Sequence, residues 1–125
     1  QTGRLNFLSN DVGQFSFASE LGFDIFCADG HTEKQMLPII SYKGHKIAFA
    51  ADLIPTAGHL PLPYVMGYDV RPLTTLKEKA VFLNYAVENN VLLFLEHDSV
   101  NEILSLKNTE KGVRINKILK CNEVF

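Results

Sequence analysis

Residues 91–95 read Val-Leu-Leu-Phe-Leu, five unbroken apolar side chains, and the run closes at once in Glu96-His97-Asp98. A strand sends alternate side chains to opposite faces, so such a run implies a strand covered on both faces, with helices on at least one side. A helix is available just upstream. Leu76, Ala80, Leu83 and Val87 recur at helical spacing, Thr75 with Glu78 has the form of a capping box, and Asn89-Asn90 supplies the stop. The class expected is α/β, a mixed sheet with a flanking helix.

The remaining strands are shorter signals. Phe23–Ala28 is aromatic and β-branched and stops at Asp29-Gly30; Met36–Tyr42 and Lys46–Ala51 flank the tight turn Lys43-Gly44 as a hairpin. Val100–Leu106 and Val113–Ile118 read as a last hairpin, although Ser99 with Glu102 also fits the cap of a short helix. The first 20 residues are turn-rich, with irregular structure or a short strand pair expected. Residues 53–73 carry four of the five prolines, Pro55, Pro61, Pro63 and Pro72, which excludes a central strand or helix there. A loop of that length is commonly a lid or binding loop.

With 125 residues, 46% hydrophobic and 21% charged, the chain has the makings of one packed domain or a piece of one. Twelve basic against fourteen acidic residues, with no Lys/Arg block, argue against nucleic acid as a partner. No apolar run approaches 18 residues and the first 20 lack a signal-peptide pattern, so no membrane partner is expected. Cys27 and Cys121 read as reduced thiols, pointing to a cytoplasmic setting.

Three metal-competent side chains stand just past apolar strands: His31 after Asp29-Gly30, Asp52 after Ile47–Ala51, and His97 after Leu95. Strand ends that share one sheet edge are where α/β folds build sites. An imidazole or carboxylate there can bind a divalent ion, and a carboxylate can bridge two. Asp52 is the strongest candidate, because a carboxylate closing so apolar a strand otherwise needs a buried partner.

The segments Asp29-Gly30-His31-Thr32, Ala50-Ala51-Asp52-Leu53-Ile54 and Leu95-Glu96-His97-Asp98, in that order, resemble the C-terminal half of a metallo-β-lactamase-fold hydrolase. They match the family's Gly-His-Thr motif, its Gly-Asp or Ala-Asp motif and its last histidine. The resemblance implies half of a four-layer αβ/βα sandwich. It also implies two zinc ions in the complete domain, with His31 on the first metal, Asp52 bridging both and acting in catalysis, and His97 on the second. The reaction implied is cleavage of an ester, lactone, amide or phosphoester by a metal-bridging hydroxide. Two departures stand out. Glu33-Lys34 occupy the place of the usual Pro-Gly, and the family's His-x-His-x-Asp-His motif is missing, since His31, His45, His59 and His97 are never two apart. Residues 1–125 are therefore expected to be the C-terminal part of one domain, with its N-terminal half elsewhere and the isolated piece inactive. A non-catalytic binding or assembly domain that has lost its metals is the alternative.

Other residues carry weaker expectations. His59, Tyr64 and Tyr68 of the proline-rich loop, with Met66 and Arg71, would shape a pocket for a small-molecule substrate, and His59 fits equally a supporting or filler role. Glu96 or Asp98 would orient His97. His45 reads as a solvated turn residue and Cys27 as a small buried hydrophobe. Half a sandwich exposes an apolar sheet face, so its cover is expected to be the missing half or a second copy in a homo-oligomer.

Overall fold

The computed structural model describes residue 3, residues 13–16 and residues 22–125. Most of the first 20 residues therefore lie outside the described residues. The rest forms one seven-stranded sheet whose strand order follows the chain. The strands are β1 (Phe15–Ser16), β2 (Asp24–Ala28), β3 (Gln35–Tyr42), β4 (His45–Phe49), β5 (Val91–Phe94), β6 (Ile103–Thr109) and β7 (Gly112–Leu119). All neighbours are antiparallel except β4 and β5, which run parallel. A parallel pair needs a crossover, and here it is the proline-rich loop followed by helix α1 (Pro72–Glu88). The alternation of directions brings the C-terminal ends of β2, β4 and β5 to one sheet edge.

Helix α1 packs on one sheet face. Phe82 and Ala86 meet Phe26, Leu37, Ile39, Ala48, Leu93 and Leu104 in the main core. The rings of Phe15 and Phe26 lie 4.6 Å apart and those of Phe26 and Phe82 5.4 Å. Truncating a fully buried phenylalanine such as Phe82 to alanine costs about 3–5 kcal/mol. Ile47 and Leu92 point to the opposite face, beside Ile103 and Val124 of the short C-terminal helix α2 (Cys121–Val124). There Pro38, Ile40, Ile47, Phe49, Phe94 and Phe125 line an apolar groove of about 310 Å³. One sheet with one helix layer is the expected half-sandwich. Among the described residues, no helix is long and apolar enough to cross a membrane.

Several local expectations need correcting. The strand expected over 46–51 ends at Phe49, because Ala51 turns left-handed (φ 44°) and opens a 3-10 turn over Ala51–Leu53. The proline-rich segment starts at the end of that turn and holds another over Ala57–His59, whose bonds come from the His59 and Leu60 N–H groups and so need none from a proline. Thr75 and Glu78 do not cap α1. The cap position is Arg71, four residues earlier, with Pro72 in the first turn. Its buried stripe is Thr75, Glu78, Lys79, Phe82, Leu83 and Ala86, so Leu76, Ala80 and Val87 lie at its margin, half-buried. Three polar residues in the stripe hid it from a search for apolar periodicity. Ser99 and Glu102 start no helix: Asp98 takes the Val100 and Asn101 amides in a turn, and β6 follows.

Candidate metal centre

Each candidate side chain stands on a loop leaving that one sheet edge. His31 follows β2, and its loop is fastened to the start of α1. Arg71 N–H donates to the Gly30 carbonyl (2.8 Å), and Val70 N–H donates to that of His31 (3.2 Å). Gly30 makes this possible. A Cβ there would come within 2.4 Å of the Thr75 backbone nitrogen, closer than any side chain tolerates. Asp52 sits in the 3-10 turn after β4, next to the left-handed Ala51. His97 follows β5, its N–H donating to the Pro55 carbonyl (3.2 Å).

These three meet. Nε2 of His31 lies 3.5 Å from Oδ2 of Asp52, and Nε2 of His97 lies 3.1 Å from its Oδ1. The carboxylate thus shows a different oxygen to each imidazole. Gln35, at the start of β3, has its Nε2 3.5 Å from the same Oδ2. Nδ1 of His31 is 2.9 Å from Oδ1 of Asp69, whose side chain is 1% exposed. An Nδ1–H donated to that carboxylate leaves Nε2 with its lone pair toward Asp52. Two acceptors facing each other repel unless a cation or a proton stands between them. Ligands of one tetrahedral zinc, each about 2.0–2.1 Å from it, lie about 3.3 Å apart, so the spacing suits a shared ion. The residues present therefore fit a divalent metal. Asp52, Glu96 and His97 also bring one donor atom each within 4.8 Å of one another, which adds Glu96 as a possible ligand.

The other candidates divide. Tyr68 reaches the site, its ring edge-on to His31 at 6.0 Å between centroids, and is 72% exposed. His59 instead pairs its Nδ1 with Thr56 Oγ1 (2.8 Å), and Tyr64 contributes its carbonyl to Lys79 Nζ while its ring stands in solvent. Asp98 does not orient His97. It accepts from the amides of Ala57 (2.9 Å), Val100 and Asn101, and those bonds hold its carboxyl well below the usual carboxylate range. His45 is exposed, and Cys27 is buried.

Solved structures resemble this arrangement. A probable metal-dependent hydrolase from Staphylococcus aureus superposes with a TM-score of 0.67 at 23% identity, over 80% of this chain and 36% of its own. The chain carries part of a metallo-β-lactamase fold. The hydrolase AbOPH, in the beta-lactamase superfamily, matches with a TM-score of 0.67 at 17% identity, over 79% of this chain and 35% of its own. The dizinc quorum-quenching lactonase AidC, solved with a product, an N-acyl-L-homoserine, matches at 0.65 and 20% identity, over 78% and 35%. This chain spans about a third of the length of each. No family model and no curated protein matches the sequence.

Sequence reasoning missed Asp69 and Gln35. Asp69 had a signal, being the one acidic residue between positions 53 and 73. Gln35 had none, since what it holds is set by strand register.

Proposed function

We propose that this chain supplies one side of a dinuclear metal-dependent hydrolase centre of the zinc type. His31 binds one ion, His97 the other, and Asp52 bridges them. The observation that carries this reading is the split of the Asp52 carboxylate, with Oδ2 toward His31 and Oδ1 toward His97. Bound ions of this kind polarise the scissile oxygen and lower the pKa of water, chemistry that cleaves an ester, lactone, amide or phosphoester. The chain's own residues prepare the site. Asp69 fixes the tautomer of His31, Gln35 restrains the rotation of the Asp52 carboxylate, and Tyr68 faces a small-molecule substrate, whereas His59 and Tyr64, earlier in the same loop, stand away from it. The likeness to a dizinc lactonase supports the lactone and ester end of that range.

His31, Asp52 and His97, even with Glu96 as a fourth ligand, do not complete two metal sites, so the remaining donors come from outside these 125 residues and the piece alone is inactive. The apolar groove around Ile40, Phe49 and Phe94 is the surface on which that other half, or a second copy, packs. The two free cysteines agree with a cytoplasmic setting. The test is Asp52→Ala in the full-length gene product, followed by elemental analysis and by turnover of lactone and ester substrates. Loss of bound metal together with turnover is expected. Retention of both would overturn the reading.

A further inference from the structure

The inner stripe of α1 carries a carboxylate where a leucine would pack, and that carboxylate grips the turn before His31. We infer that Glu78 is a positioning residue for the metal ligand His31, acting through the backbone amides of Asp29 and Gly30. The inference rests on the metal-site reading above and adds a residue outside the ligand shell.

Glu78 is 4% exposed, and its Oε1 and Oε2 accept from the Asp29 N–H at 2.8 Å and the Gly30 N–H at 3.0 Å. Taking a carboxylate out of water costs several kcal/mol, which an apolar residue here would avoid. The helix does not need it either, because α1 begins at Pro72 without side-chain capping. What Glu78 supplies is hold on a backbone. The peptide units around Gly30 are tied on both sides: their amides go to Glu78, while the carbonyls of Gly30 and His31 accept from Arg71 and Val70. Arg71 Nη1 also donates to the Asp29 carbonyl at 2.8 Å. The peptide plane between Asp29 and Gly30 is thus held through both its C=O and its N–H and cannot rotate, so the turn that carries His31 is set before any ion arrives. Metal sites tolerate only about 0.5 Å and 10–20° of ligand misplacement.

Glu78→Gln keeps the shape and gives up one of the two acceptors. The full-length protein and its E78Q variant are stripped of metal and titrated with zinc against a chromophoric chelator, and the melting of each is followed with and without zinc. The expected result is a loss of zinc affinity on the order of 10-fold, with a smaller zinc-induced rise in melting temperature. A merely structural role would lower both melting curves together and leave the affinity unchanged, and that result overturns the inference. Should E78Q not fold, the wild-type protein carries the test through linkage. Zinc must then slow hydrogen exchange at the Asp29 and Gly30 amides more than in the β6–β7 hairpin. Equal effects at both places overturn the inference. A wild-type protein that binds no zinc overturns the metal-site reading as well, whereas zinc bound equally by both proteins overturns only the role of Glu78.

Discussion

Asp69 holds Nδ1 of His31 at 2.9 Å from a loop 38 positions downstream, and so decides which ring nitrogen faces Asp52. Replacing Asp69 with Asn offers an amide N–H to Nδ1 and drives the ring proton to Nε2, where it blocks metal binding. D69N is expected to weaken zinc binding 10–100-fold, as typical for such outer partners. Nitrogen NMR of the metal-free His31 ring is expected to show the proton moving from Nδ1 to Nε2. An unchanged tautomer with unchanged affinity would remove Asp69 from the account.

Lys79 makes stability depend on alkaline pH. Its ammonium is fully buried, donating to the carbonyls of His59, Pro61 (2.8 Å) and Tyr64 (2.8 Å). Burial pushes its pKa down to about 8, against the opposing pull of the Asp69 charge. Between that value and the ordinary one near 10.5 the unfolded chain binds more protons than the folded one, so stability rises with pH across the window. The gain is at most about 3 kcal/mol. Denaturant titrations of wild type and Lys79→Met at pH 7.5 and pH 10 are expected to show the wild type gaining on the variant. A constant difference would contradict the depressed value.

Ala51 adopts φ 44°, a conformation that costs an L-residue about 1–2 kcal/mol and glycine nothing. Glycine gives back about 0.5–1 kcal/mol through its freer unfolded chain. Ala51 is also buried, and losing its methyl costs about 0.8 kcal/mol, so Ala51→Gly is expected to lie within about 1 kcal/mol of neutral. Ala86→Gly, in the last turn of α1 and buried, loses helix propensity and a packed methyl and is expected to cost about 1 kcal/mol or more. Paired thermal melts check the contrast, and equal losses at both sites would mean Ala51 is unstrained.

The isolated 125-residue chain is expected to self-associate through the face that carries Ile40, Phe49 and Phe94. Ile40, 40% exposed, lies on that face away from the candidate ligands. Ile40→Lys is expected to shift sedimentation toward monomer by making the contact bury a charge. A wild-type chain that stays monomeric at every concentration would contradict the proposed role of this face.

Much of the architecture was legible because its signals are local. The apolar run at 91–95, the Lys43-Gly44 turn and the Asn89-Asn90 stop each mark an element by its own chemistry, and His31, Asp52 and His97 could be nominated because each follows a strand. The start of α1 was misjudged for a physical reason. Thr75 and Glu78 do form a cap pattern, but tertiary partners claim them: Glu78 is spent on the Asp29 and Gly30 amides, and Thr75 lies against Gly30. Asp69 and Gln35 reach the site only through loop closure and β2–β3 register, which no local window contains.

The polar stripe on α1 also bears on redesign of this protein. A procedure rewarding apolar burial would rewrite positions 75, 78 and 79 as alanine or leucine and score the result as a better helix. Such a sequence would leave the Asp29 and Gly30 amides without their acceptor and so mislay its histidine. Apolar burial and the placement of His31 therefore pull this helix in opposite directions, and a design scored on burial alone would discard the grip on the turn.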